Sequence, residues 1–330
     1  MTEIRYDVLG IGSAIVDILS RTDDEFIAAN EMVKGTMALL TAERARQIYE
    51  RMPQSVQISG GSAANSMAGI ASLGGTPAFI GKVGKDNFGD VFKHDIEVVG
   101  VAFHPGTRPA TRPTATCLIL VTPDGQRTMN THLGACTELV AEDIDDAVIA
   151  SSRVMYIEGY QWDTPDAKAA IRKATKAAKA AGRQVALSLS DPFVVERHRT
   201  ELLGLIRDEI DILFGNEEEV FRLYEAGDLY TAIERLRSSK VLACMTRGAK
   251  GTVIFDGQTT AAIDAWPVDQ VIDTTGAGDL FAAGFLYGYT HGRDLIGCAK
   301  IGSMAAAEVI SHMGARPEVP LRQLLEKHGL

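Results

Sequence analysis

The chain has 330 residues, 46% of them hydrophobic, with 33 Lys and Arg against 43 Asp and Glu and a formal net charge of −10. Such a chain can bury a large core, and its acidic balance argues against nucleic acid or an anionic membrane as the main partner. Four isolated cysteines (Cys117, Cys136, Cys244, Cys298) lack metal or redox spacing, there is no basic-then-apolar leader, and no apolar run approaches the ~20 residues of a membrane span, so a cytoplasmic protein with free thiols is expected.

In chain order, YDVLGIG (6–12) is the first apolar run short enough for a strand buried on both faces. Two extended-looking pieces, 14–20 and 34–40, follow without a crossover helix between them. The pattern then predicts a helix over 62–73, a strand over 77–83 and a helix over 87–99. Residues 114–133 read as a hairpin turning at Pro123–Asp124–Gly125. Strands at 153–159, 183–190, 210–216 and 240–248 alternate with helices at 164–181, 195–208, 217–226 and 229–238. Residues 277–313 give two apolar helices jointed at 292–294. Strand–helix alternation of this kind calls for a mainly parallel sheet covered by helices on both faces. The pieces outside that rhythm, about 14–40 and 101–133, are assigned to a small β-sheet lid inserted in a single domain over 1–330. A monomer and a homodimer paired through an exposed lid edge are both compatible with this pattern.

Glycine motifs narrow the chemistry. GIGSAI (10–15) lacks the third glycine of a dinucleotide fingerprint and leads into an extended run where that motif needs a helix, and no ordinary P-loop is present. DTTGAGDLFAAGF (273–285) is different. Gly276, Ala277 and Gly278 at the start of an apolar helix would leave peptide NH groups free at its positive end, with no large side chain to keep an anion away. Asp279 directly behind them would repel an anion held permanently but suits one in transit, since it can take the proton of an attacking hydroxyl. The plainer reading is an acid stabilising a helix start.

DTTGAGD followed by LFAAGFL resembles the C-terminal signature of the PfkB, or ribokinase-like, family of small-molecule kinases, and GGSAANSMAGIASLGGTPAFIGKVGKDNFGD (60–90) resembles its N-terminal one. The resemblance implies a three-layer α/β/α fold with a small lid sheet, and an ATP-dependent kinase with Asp279 as base and Gly276, Ala277 and Gly278 as anion hole. It also implies that Asp17, Gly60, Gly61 and Asn65 bind a nucleoside or sugar substrate, although Ser62 could simply N-cap its helix with the glycines as the turn. Asn216 and Glu219, in FGNEEEV, match the family's N-x-x-E element, implying Mg²⁺ held by Glu219 through water and phosphates oriented by Asn216. Thr246, Gly248 and the lid arginine Arg127 correspond to ATP-contacting positions, and a monovalent cation such as K⁺ would lie near Asp273 and Thr275.

Within that family, IDILFGNEEE, VALSLSDPF and the hairpin are similar to stretches of the adenosine kinases. That similarity implies adenosine as the acceptor, with Phe193 stacked on its base. Ser13 and Thr275 depart from the adenosine kinase pattern, so a ribose-like or keto-sugar acceptor stays open, as does a sensor that binds without reacting.

Overall fold

The computed structural model describes residues 2–330. Among the described residues, fourteen strands form two sheets. In chain order the first eight are β1 (Tyr6–Ile11), β2 (Ile15–Arg21), β3 (Met37–Leu39), β4 (Ser55–Gly60), β5 (Pro77–Gly81), β6 (Ala102–Pro105), β7 (Ala115–Val121) and β8 (Arg127–His132). The rest are β9 (Ser152–Glu158), β10 (Gln184–Ser188), β11 (Ile212–Asn216), β12 (Leu242–Thr246), β13 (Thr252–Phe255) and β14 (Thr260–Ile263).

The main sheet runs β14-β13-β12-β11-β10-β9-β1-β5-β6. It is parallel from β12 to β6, and β13 and β14 join antiparallel at one edge. Both faces are buried, so its central strands are apolar on consecutive residues. Val8, Tyr156, Ala186 and Ile212 pack towards the helices Ser62–Ser72, Ala277–Thr290 and Leu295–Val309. Their neighbours Leu9, Ile157, Leu187 and Leu213 pack towards Pro165–Ala180 and Pro192–Glu209. The result is the three-layer, ribokinase-like α/β arrangement with a mainly parallel centre that the resemblance implies.

The second sheet has the order β3-β8-β7-β2-β4. It differs from the expectation in three ways. A short helix, Asp24–Ala29, capped by the Asp23 side chain, separates β2 from β3, where no helix is expected. Residues 55–60 form β4, an edge strand antiparallel to β2, although their mixed polar pattern gives no clear strand signal. Residues 102–105 form β6, parallel to β5 in the main sheet, so the lid segment expected from 101 enters the small sheet only at Ala115. The small sheet is joined to the main body by continuous packing, because Val16, Ile18 and Leu118 belong to the same buried cluster as Val8 and Leu280.

The chain crosses the main sheet in two directions. From β1 it steps through β5 to β6, and from β9 it steps the other way through β10, β11 and β12. The crevice therefore opens at the carboxyl ends of β1 and β9, where strand order reverses.

Candidate active site

Four strand ends line this crevice in sequence. Thr246 ends β12, its register partner Asn216 ends β11, Glu158 ends β9, and Ser13 follows β1. Gly248, with φ 57°, opens a short turn just past β12 and has free space on its Cβ side. That turn is tied to the β11 side, since Arg247 donates to Glu217 at 2.9 Å.

The helix Ala277–Thr290 starts from Gly276, whose φ is 80°. A Cβ there would lie 2.8 Å from the Ala315 side chain and 2.9 Å from its Cα, so the close approach of the two loops requires glycine. Gly278 faces open space. The peptide NH groups of Gly276, Gly278 and Asp279 have no partner among the described residues, whereas that of Ala277 donates to the Thr274 carbonyl at 3.2 Å. The expected trio of free amides at 276–278 is thus corrected by one member. Ala277 closes the turn, and Asp279 contributes a free amide in its place.

The Asp279 carboxylate accepts a hydrogen bond from Ser62 Oγ at 2.6 Å and another from Asn65 Nδ2 at 3.0 Å. Burial pushes its pKa up, while these two donors and the charge of Arg316 act the other way. Ser62 is therefore not the N-cap offered as the plain reading. Gly61, at φ 96°, holds the cap position, and the Ser62 hydroxyl is directed to Asp279. Asn65 is buried, and its Oδ1 has no partner among the described residues.

Asp17 sits on β2 beside the end of β4, and its carboxylate makes no hydrogen bond with a described residue. Burial raises its carboxyl to about 7, partly offset by Arg316 and Arg127 and reinforced by Asp279. Packing within the chain explains both neighbouring glycines. A Cβ at Gly60 would overlap the Asp17 carboxylate, and one at Gly61 would overlap the Ser13 carbonyl.

Arg127, the first residue of β8, reaches from the small sheet to the loop before the helix Ala277–Thr290. Its Nη1 is paired with the Asp273 carboxylate and donates to Thr275 Oγ1 at 2.6 Å. Its Nε and Nη2 are buried without partners among the described residues. On the far side, Asn216 and Glu219 form a reciprocal capping box. Asn216 Nδ2 donates to Glu219 Oε1 at 2.8 Å, and the two backbone amides complete it at 3.0 and 2.8 Å. Burial raises the Glu219 carboxyl to about 7, and the fields of Asp191, Glu218 and Asp279 add to the shift. Among the described residues no group of three or more His, Cys, Asp or Glu is set to grip a metal directly.

Phe193 lies apart from the hydrogen-bonded cluster. It lies in the first turn of the helix after β10, is 66% exposed, and has the Arg222 guanidinium 5.9 Å from its ring centre. The preceding Ser190 has φ 70°, an uncommon value for a residue with a side chain.

Three further residues at the site escape sequence reasoning. Glu158 is buried and ties the crevice together, accepting from the amides of Ser13 at 2.8 Å and Ala63 at 2.9 Å. Arg316 donates to the Ser59 carbonyl at 2.8 Å and the Ala64 carbonyl at 3.0 Å, bracketing the turn that carries Gly60, Gly61 and Ser62. Tyr160, 42% exposed just past β9, donates its hydroxyl to the Ser190 carbonyl at 3.2 Å. Position at the end of β9 is the local signal for Glu158 and Tyr160, and Arg316, in the loop after the helix Leu295–Val309, has none.

An open α/β crevice with unpaired amides at a helix start, a carboxylate behind them and a second sheet packed beside it is the layout of a small-molecule phosphotransferase. The family model described as pfkB family carbohydrate kinase matches residues 33–322, and the chain belongs to that family of ATP-dependent phosphotransferases. It is 49% identical to the solved adenosine kinase from Sinorhizobium meliloti, over 98% of this chain and 99% of that one, with a TM-score of 0.89. It is 45% identical to a solved probable sugar kinase protein from Rhizobium etli CFN 42, over 100% and 99%, with a TM-score of 0.90. Adenosine kinase 1 of Arabidopsis thaliana is 27% identical, over 95% of this chain and 96% of that protein. No helix among the described residues is long and apolar enough to cross a membrane.

Proposed function

We propose that the chain transfers the γ-phosphoryl group of ATP to the primary hydroxyl of adenosine, with Asp279 as the base. One observation carries the reading. Of the seven buried side-chain polar atoms left without partners among the described residues, three surround this site, and their signs sort as the reaction needs. Asn65 Oδ1 is an acceptor beside Asp279, suited to an alcohol OH. Arg127 Nε and Nη2 are donors beside the helix start, suited to a phosphoryl oxygen. Buried polar atoms are rarely left unpaired, so these three favour a ligand.

In this reading the acceptor alcohol gives its proton to Asp279 as its oxygen bonds to the γ-phosphorus. The bond from phosphorus to the bridging oxygen breaks, and ADP leaves with the electron pair. The amides of Gly276, Gly278 and Asp279 hold the charge on the equatorial oxygens, a role often worth roughly 10²–10³-fold per donor. Ala277 serves through its small size and the turn it closes. Asp17, unpaired and flanked by Gly60 and Gly61, accepts from substrate hydroxyls further along. Thr246 and Gly248 bound the nucleotide side, together with Asn216 and Glu219.

The donor set at Glu219 fits Mg²⁺ held through water. Both carboxylate oxygens are oriented by Asn216 yet keep a second lone pair, and a cation would relieve the repulsion from Asp191 and Asp279. When bound, the ion would shield the phosphate oxygens. K⁺ does not fit beside Asp273 and Thr275, because the oxygens it would need already face the Arg127 guanidinium.

Adenosine is preferred because of the similarity to the Sinorhizobium enzyme and the exposed ring of Phe193, which can stack on a base. A sugar acceptor is the second reading, favoured by the likeness to the Rhizobium etli protein. We take residues 1–330 as one kinase domain with the small sheet as its lid. ADP release from ATP and Mg²⁺ with adenosine, ribose and fructose separates the cases. Adenosine should turn over fastest, and Phe193→Ala should weaken adenosine far more than ribose. Equal losses would remove the stacking role, and no turnover with any acceptor would leave a binding protein.

A further inference from the structure

The pairing of Arg127 with Asp273 joins three distant segments. Asp273 is almost fully buried, with its side chain 3% exposed. Its Oδ1 accepts from the Thr275 amide at 3.0 Å, and its Oδ2 accepts from the Gly314 amide at 2.9 Å and from Arg127. The same Arg127 nitrogen donates to Thr275 Oγ1 at 2.6 Å. Arg127 belongs to the small sheet, Thr275 directly precedes the unpaired amides, and Gly314 lies in the loop after the helix Leu295–Val309. The carboxylate thus has two neutral donors and one full positive charge. A buried carboxylate without a counter-charge is costly, so that one cation stabilises the whole junction.

A carboxylate oxygen and a hydroxyl oxygen converging on one positive centre is a donor set that a monovalent ion would accept. Here the centre is a guanidinium, and an added ion would meet a like charge at contact distance in a dry site. Resting on the assignment of 276–279 as the anion-holding segment, we infer that Arg127 is this chain's built-in monovalent cation, so that the kinase works without potassium and loses that independence when the guanidinium is removed. The charge also arrives with the small sheet. The segment leading to the free amides is therefore neutralised only while that sheet is seated.

The test compares wild type, Arg127→Ala and Arg127→Gln in KCl, NaCl and tetramethylammonium chloride at equal ionic strength. Two readouts are taken: the thermal midpoint without nucleotide, and ADP release with ATP, Mg²⁺ and adenosine. Wild type should give the same midpoint and rate in all three salts. In tetramethylammonium the variants should lose about 100-fold in rate, the scale of losing one charge-stabilising donor. Potassium or millimolar guanidinium should restore much of that loss and raise the midpoint of the variants alone.

A wild-type rate or midpoint that rises markedly with potassium would overturn the inference. So would variants whose rate and midpoint ignore both potassium and guanidinium. The wild-type comparison decides even if both variants fail to fold. If wild type phosphorylates nothing, the kinase reading fails by itself, while the thermal readout still judges the cation.

Discussion

Asp279→Asn separates the chemistry of the site from its architecture. The substitution keeps the shape of the side chain and removes the base. General-base catalysis contributes roughly 10²–10⁴-fold, so turnover should fall by that factor, equivalent to a barrier higher by about 3–5 kcal/mol. Contacts around the residue should survive. The amide oxygen that the substitution introduces can still accept from Ser62, and its NH₂ can donate to Asn65 Oδ1 once the Asn65 amide turns over, which also pairs an atom now without a partner. Substrate affinity should change little, because the turned Asn65 amide then offers its Nδ2 to the oxygen of the acceptor alcohol in place of Oδ1. Stability should move the opposite way to activity. Burial holds the Asp279 pKa above its ordinary 3.8, so ionisation costs the folded state more than the unfolded one. That cost is absent below the unfolded pKa, grows as pH rises through the folded one, and is complete above it. The variant should match wild type in strong acid and melt at the same or a higher temperature at neutral pH. Single-turnover ADP release and calorimetry across pH check both halves. A loss in turnover below about tenfold would take Asp279 out of the proton transfer, and a lower melting temperature at neutral pH would mean that its charge is structural.

Asp17 should make acceptor binding pH-dependent. Its carboxyl titrates at about 7, so KM for the acceptor should rise as pH falls through that value, and Asp17→Asn should flatten the curve, measured by initial rates at saturating ATP. For Glu219, also raised to about 7, Glu219→Gln should increase the Mg²⁺ concentration needed for half-maximal rate at neutral pH. The same substitution should change thermal stability little, because the new amide oxygen keeps the bond from the Asn216 backbone amide, and loss of the bond from Asn216 Nδ2 is offset by removal of a buried charge.

How much of this is legible in the sequence depends on the range of the interaction that decides it. The alternation from β9 onwards is local, because strands buried on both faces and amphipathic helices each carry their own period, and the sheet follows from it. The GAG–Asp279 segment is legible for a similar reason, since the helix start, the small residues and the acid are consecutive in the chain. β4 is not, because SVQISG has no clean two-residue period, and its place is set by pairing with the distant β2. Ser62 shows the limit most clearly. As a Ser before a helix it reads as a cap, yet its partner Asp279 lies 217 residues on. Arg316 bonds to carbonyls 252 and 257 residues away, and a backbone carbonyl leaves no mark in the sequence.

The site's charge balance explains why a cradle for a polyanion is lined with acids. Asp17, Asp279, Glu158 and Glu219 are all raised by burial; hydrogen-bond donors oppose the shift at the last three, and cations oppose it at Asp17 (Arg316 and Arg127) and Asp279 (Arg316). A unit negative charge about 6 Å from a bound anion costs it roughly 3 kcal/mol at an effective dielectric near 20. Two or three such charges would make the free amides a poor permanent phosphate site. They also make release of an anionic product easier than capture of one, which suits an enzyme that must let ADP and a phosphorylated product go. The acceptor alcohol is neutral and meets no such opposition, and Asp17 and Asn65 can bind it through hydrogen bonds alone. The nucleotide enters with its charge shielded, and the Arg127 donors reach it only from the seated small sheet. Affinity for ATP should therefore depend on both the shielding cation and Arg127 of the small sheet, and affinity for the acceptor, held by Asp17 and Asn65, should not depend on the cation.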